Sequence, residues 1–168
     1  MISLKTNYDA IVIGGGPAGS STAALLAENG HDVLIVEKEK FPRYHVGESL
    51  MPFCYFPLEK LGLVETLKES ANPRKYCVQF VREDGFRSQP FYFFQHFDHP
   101  SSTTWQVWRS DFDKMIMDKA RENGASVLEE TKAKNLIKKG DTCVAGVKVV
   151  SKDLGELELK APIVVDAS

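Results

Sequence analysis

The chain has 168 residues, 43% of them hydrophobic and 26% charged, with a formal net charge of −2. A chain of this size buries roughly 70% of its extended surface, enough for one domain with a sizeable core, and so small a charge provides no basic field to gather nucleic acid. Apolar stretches such as Val33–Val36 fall far short of the roughly 18–20 residues that a membrane span requires.

Met1–Asp9 carries one lysine and no long apolar run, so neither a secretory nor a transit peptide is expected and the address is cytoplasmic by default. Tyr8–Ile13 is a β-branched run ending in Gly14-Gly15-Gly16, and Ala18–Asn29 then carries apolar residues at helical spacing. Gly30 closes that helix, and Asp32–Glu37 is a second apolar strand of the kind buried in a parallel sheet. Together these form a βαβ unit. Phe41–Ser49 is aperiodic and reads as a loop, with Ser49 as N-cap of a helix that carries Pro52 in its first turn, and helices continue to about Ser70.

From Arg74 to Trp108 the pattern turns to β segments at Lys75–Arg82, Gln89–Phe94 and Thr104–Trp108, with a hairpin signal at Asp84-Gly85. Ser110 or Asp111 then caps a helix that runs to Asn123, and Ser126–Glu130 is a third parallel strand. Ala133–Lys138, Cys143–Ser151 and Glu156–Lys160 form three strands joined by tight turns, before Ile163–Asp166 returns as an apolar strand. Cys54, Cys77 and Cys143 form no CxxC pair and are expected as reduced, buried small residues.

Gly14-x-Gly16-x-x-Gly19 follows a strand, opens a helix and is followed by Glu37 at the end of the next strand. All the context of a dinucleotide fingerprint is present. Gly14 makes the tight turn, Gly16 lets the backbone approach a pyrophosphate, and Gly19 brings the helix close to the strand. Free amides and the positive helix end then face the phosphates. The Glu37 carboxylate is suited to both ribose hydroxyls of an adenosine, and its charge disfavours a 2′-phosphate.

The run Gly14-Gly15-Gly16-Pro17-Ala18-Gly19, with Ala23 and Gly30 beyond it, resembles the extended fingerprint of FAD-dependent oxidoreductases with a glutathione reductase type of FAD domain. That resemblance implies FAD as cofactor, with contacts from Pro17, Ala18 and Lys38 besides the glycines and Glu37, and it makes the strands of Ala133–Lys160 a β-meander. Arg109 stands where aromatic hydroxylases of this group place a cofactor-touching arginine; pairing with Asp111 or Asp113 is the other reading. Val164-Val165-Asp166-Ala167-Ser168 resembles the second FAD motif, whose aspartate binds the ribityl chain, up to the glycine expected next. A truncated sequence is therefore expected.

Phe41-Pro42-Arg43-Tyr44-His45-Val46-Gly47-Glu48-Ser49-Leu50 resembles the FPRxHxGESL segment of flavin-dependent halogenases, which implies that Arg43, Gly47, Glu48 and Ser49 lie beside FAD. A surface role for Arg43 and a cap-supporting role for Glu48 are the alternatives, and His45 is read as a packing or hydrogen-bonding loop residue. Asn72–Phe80 resembles the segment that carries the lysine of those enzymes, which makes Lys75 the candidate catalytic residue, although Cys77 stands where glycine is usual. The chemistry implied uses reduced FAD and oxygen to oxidise chloride or bromide to hypohalous acid, which the lysine amine holds or captures. A strand lysine facing solvent is the competing account.

Phe91–Phe94 with Phe97 reads as a buried strand in preference to a substrate pocket, and His96, Asp98 and His99 as a solvated loop cluster, so no metal is expected. The expected fold is α/β: a Rossmann-like FAD-binding domain with a parallel sheet and a three-stranded β-meander, interrupted by the first strands of an incomplete substrate domain. Its parts are residues 1–71 and 109–168 for the FAD domain and 72–108 for the insert. The resemblance implies a halogenase acting on a small organic, aromatic substrate, free or carrier-tethered. Halide is a co-substrate, and a flavin reductase or NAD(P)H is the electron source. The alternatives are a monooxygenase or isoprenoid-type reductase on the same scaffold, and a non-catalytic FAD-binding fragment; the fragment alone is expected to be inactive.

Overall fold

The computed structural model describes Lys5–Ser168; residues 1–4 of the stretch read for a leader lie outside the described residues. In chain order the elements are β1 (Ala10–Ile13), α1 (Pro17–Glu28), β2 (Val33–Val36), α2 (Tyr55–Lys60), α3 (Val64–Glu69), β3 (Arg74–Lys75), β4 (Cys77–Val78), β5 (Phe91–Tyr92) and β6 (Thr104–Trp105). They continue with α4 (Arg109–Glu122), β7 (Ser126–Leu128), β8 (Thr131–Lys139), β9 (Cys143–Ser151), β10 (Gly155–Lys160) and β11 (Ile163–Asp166). Two compact units result: one runs up to His45 and resumes at Ser110–Ser168, and the other is Val46–Arg109. Among the described residues no helix is long and apolar enough to cross a membrane.

The first unit holds the expected parallel sheet and meander, whereas residues 46–71, expected in the FAD domain, fall in the second unit. Four parallel strands lie in the order β11-β1-β2-β7, with Ile13 level with Asp166 on one side and with Val36 on the other. Alternation along the strands divides the core in two. Ile11, Leu34 and Val36 share one buried cluster with Val147, Val149 and Leu159 of the antiparallel meander β10-β9-β8. On the other side α1 packs on β1 and β2 through Gly19, Ser20, Ala23, Ala24 and Ala27, small buried residues at helical spacing that let the helix axis come near the sheet. The α4 side chains Ile116, Met117 and Ala120 are buried, and Asn123 of the following turn donates to the Ala24 carbonyl at 3.1 Å. Helices, parallel sheet and meander thus form three layers.

The second unit departs from the expected strands. The runs expected at Lys75–Arg82, Gln89–Phe94 and Thr104–Trp108 are realised as two-residue ladders, because the chain changes partner at Tyr76: β3 pairs with β6 and β4 with β5. Phe93–Gln95 turns as a 3₁₀ helix, which breaks the alternation needed for a buried strand, so Phe93 is buried while Phe91, Tyr92 and Phe94 are exposed. The Asp84-Gly85 turn forms as expected, with Gly85 N–H donating to the Arg82 carbonyl at 2.9 Å.

Three local expectations are corrected. Ser49 caps no helix; it lies in an extended bridge opposite Gln106, and the helical turn begins at Pro52 behind Met51. The α4 helix starts at Arg109, ahead of Ser110 and Asp111. Cys143 is exposed at the start of β9, whereas Cys54 and Cys77 are partly buried.

Leu159 is fully buried between sheet and meander. Leu159→Ala is expected to lower the unfolding free energy by about 2–5 kcal/mol through lost transfer energy and an unfilled cavity, read as a reduced urea midpoint with unchanged slope.

Candidate functional site

The carboxyl ends of β11, β1 and β2 lie side by side, where the strand order reverses around β1. Such a switch point is where open α/β sheets take ligands. At this edge the chain leaves β1 and turns at once into α1. Gly14 has φ +99°, and a Cβ there would lie 2.6 Å from the Ala167 carbonyl oxygen; a Cβ on Gly19 would lie 2.0 Å from the Gly14 carbonyl oxygen. Both glycines are therefore required by the protein itself.

Gly16 is different. Its φ of −68° and ψ of −178° are open to any residue, and among the described residues the sole group within 4 Å of a Cβ placed there is Arg43 Nη2, at 3.7 Å. No protein contact demands glycine at this position, so its smallness is left for a ligand that would approach the backbone here. Pro17 occupies the first helical position and has no N–H, and the amides of Ala18 and Gly19 in the first turn have no intrahelical acceptor. The cradle fits an anionic diphosphate.

Glu37, at the end of β2, is buried. One of its oxygens accepts the Gly15 N–H at 2.6 Å and the other the Glu39 N–H at 2.8 Å. A carboxylate offers about four lone-pair positions, so two amides fix it against the turn and leave capacity for hydroxyl donors. Lys38 follows it and is exposed. Asp166 ends β11 beside Ile13; its carboxyl is held below the usual carboxylate range by hydrogen bonding from Ser168, whose N–H lies 3.1 Å away.

Arg43 comes into the same corner. Its side chain is 9% exposed, its guanidinium lies over the Phe41 ring at 4.8 Å, and it stands 3.3 Å from fully buried Asp113 and 3.5 Å from Glu39. Yet Nε and Nη1 make no hydrogen bond. These carboxylates neutralise the cation without engaging those donors, and Nη2 is aimed at the Gly16 space. The surface alternative for Arg43 does not hold. The first unit thus brings together Gly14, Gly16, Pro17, Ala18, Gly19, Glu37, Arg43 and Asp166.

In the second unit the Gly47-Glu48-Ser49 segment lies against the strand that leads into α4. Val107 N–H donates to the Glu48 carbonyl at 2.8 Å and Leu50 N–H to the Trp105 carbonyl at 3.0 Å. Arg109 Nη1 donates to the Val46 carbonyl at 2.6 Å, and Gly47, at φ +108°, passes so close that a Cβ would meet that nitrogen at 3.0 Å.

The same strap positions Lys75. From β3 its ammonium donates to the Leu50 carbonyl at 3.1 Å, lies 3.6 Å from Met51 Sδ and faces the buried Phe93 ring 5.5 Å from its centroid. Burial pushes its pKa below the ordinary lysine value. The lysine is thus partly buried, with its ammonium held by the Leu50 carbonyl. Sequence reasoning missed Asp113 as the partner of Arg43, and Met51 and Phe93 as neighbours of Lys75, because nothing in their spacing marks contacts made across the fold. His99 Nδ1 accepts the Ser101 N–H at 3.1 Å, and the His96 ring stacks on Phe91 at 4.0 Å, so both histidines have structural partners.

Competitive acylation across a pH series distinguishes these environments. The Lys75 midpoint is expected below the ordinary lysine value of about 10.4, because burial favours the neutral amine. The midpoint of Lys148, whose cation is held by Glu158 at 2.7 Å, is expected above it. Peptide mass spectrometry reads both.

Residues 7–167 match the FAD binding domain family. The chain is 36% identical over 162 residues to the 1H-pyrrole-2-carbonyl-[peptidyl-carrier protein] brominase of Pseudoalteromonas luteoviolacea, covering 96% of this chain and 37% of that protein. It is 32% identical to the corresponding chlorinase of Pseudomonas fluorescens, with 96% and 39% covered. Among solved structures, the myxobacterial chondrochloren halogenase, an FAD-dependent halogenase, superposes with a TM-score of 0.88 at 34% identity, over 98% of this chain and 38% of that one. A flavoprotein/dehydrogenase from Cytophaga hutchinsonii superposes with a TM-score of 0.84, also at 34% identity, over 96% and 39%. The chain thus spans well under half the length of the curated relatives it matches. With its glycine turn, acidic strand end, meander and matched length, the chain belongs to the FAD binding domain family.

Proposed function

We propose that this chain is the FAD-holding part of a flavin-dependent halogenase in which Lys75 is the catalytic residue. The observation that carries the reading is the half-buried Lys75 amine, fixed by the Leu50 carbonyl and shifted towards its neutral form. The likeness to a carrier-protein brominase and chlorinase supports it.

FAD, when bound and reduced, supplies with oxygen the oxidising equivalents that convert halide to hypohalous acid. The residues of the chain do the rest. The amides of Ala18 and Gly19 and the Arg43 guanidinium bind the diphosphate, and Gly16 gives it room. Glu37 orients the adenosine ribose, and Asp166 takes the ribityl hydroxyls. As an ammonium, Lys75 donates a hydrogen bond to hypohalous acid; as a neutral amine, it captures the halogen. The substrate in this reading is a small aromatic acyl group tethered to a carrier, the halide is chloride or bromide, and the electrons come from NAD(P)H, directly or through a flavin reductase.

A second reading is an FAD-dependent monooxygenase or isoprenoid-type reductase on the same scaffold; the likeness to the Cytophaga flavoprotein/dehydrogenase supports an FAD-dependent oxidoreductase other than a halogenase. The two diverge at Lys75. In the full-length enzyme, Lys75→Ala is expected to abolish halogenated product while the flavin absorbance stays; undiminished product would remove Lys75 from the mechanism. Cofactor placement is tested separately. Gly16→Val is expected to keep the circular dichroism and thermal midpoint, because the backbone there suits any residue, yet to lose flavin absorbance by filling the diphosphate space. Normal FAD affinity in that variant would contradict the assignment.

A further inference from the structure

We propose that Met51 is an oxidation site of this protein, its thioether receiving the halogen carried by Lys75 and ending as the sulfoxide. The inference rests on the halogen-carrying role proposed for that lysine. Its own basis is the geometry: Met51 Sδ lies 3.6 Å from Lys75 Nζ. The ammonium cannot drift freely, because the adjacent Leu50 carbonyl accepts from it at 3.1 Å and the Phe93 ring faces it. Met51 is 50% exposed, so water reaches the sulfur. A thioether is soft, polarisable and readily oxidised to a sulfoxide.

The step balances in two stages. Neutral Lys75 amine and hypohalous acid give an N-halamine and water. The nitrogen–halogen bond then breaks as the sulfur attacks the halogen, and halide leaves. Sulfur loses two electrons, the halogen passes from its positive to its halide state, and one water molecule supplies the new oxygen. Both protons of that water pass to the lysine nitrogen, which is restored as the ammonium. The sulfoxide oxygen is a far better acceptor than the thioether for the restored ammonium, so each such event ties Lys75 to Met51 and withdraws it from turnover.

The test uses the FAD-loaded protein. It is treated with substoichiometric hypochlorous acid, or with hydrogen peroxide, which does not halogenate amines. Sulfoxide at Met51 is then compared by peptide mass spectrometry with that at Met115, a partly buried methionine of α4. The Met51-to-Met115 ratio is expected to be several-fold higher with hypochlorous acid than with peroxide, and Lys75→Gln is expected to bring it down to the peroxide value. Retained flavin absorbance verifies the fold of the variant; Lys75→Arg replaces it where FAD is lost. A hypochlorous acid ratio unchanged by the substitution overturns the proposal, as does oxidation confined to Cys54 and Cys77 with Met51 intact. Product analysis is independent and uses the full-length enzyme: oxidation of Met51 through Lys75 in a full-length protein that forms no halogenated product would leave this inference standing and remove the halogenase reading.

Discussion

The first unit depends on how closely a helix can begin after a strand ends. The Gly14 carbonyl and Gly19 approach until no side chain fits between them, and this contact forces α1 to start at the sheet edge with its first amides directed outward. Any Cβ at Gly19 would push the helix start away, and the amides, the helix dipole and the small-residue seam of α1 would lose their common aim. Burial of Ala23, Ala24 and Ala27 against the sheet then holds the helix at that distance. The binding corner is thus a by-product of close helix–sheet packing, with Gly16 alone reserved for the ligand.

Charge in that corner is arranged in layers. Glu37 is held by two backbone amides and Arg43 by two carboxylates, so each ion has its own counter-charge or donors before any ligand arrives. A buried guanidinium without such partners would cost several kcal/mol. With them the buried cation is compensated, and Nη2, 3.7 Å from a Cβ placed on Gly16, is the part of the group that faces the space left for a ligand. Asp113 therefore belongs to the site although it lies behind it.

The amino-acid sequence made the first unit legible because its signals are local. A β-branched run, three glycines, a helical stripe and an acidic strand end follow one another within the first 37 positions, and the meander strands are long enough for period-two alternation to register. The second unit was legible in its turns and poorly so in its strands. Ladders of two residues carry no period, and the aromatic run at Phe91–Phe94, which looks like buried strand, is bent by a 3₁₀ turn that leaves one ring inside. Partners distant in the chain were invisible for another reason. Arg43 and Asp113, or Lys75 and Phe93, meet only through the fold, and no spacing rule links them.

The strap at Glu48–Leu50 has a topological effect. Because it is bonded to residues 105–107, the intervening stretch begins and ends at one clasp. Lengthening or shortening a loop with fixed ends changes its closure entropy only slowly. The stretch between the clasped ends can therefore diverge in length and side chains at little energetic penalty to its anchorage. In that sense the clasp gives the scaffold an exchangeable cassette, and Lys75 enters it just two residues beyond Pro73, whose carbonyl is itself bonded to Gln106, within the part most firmly held.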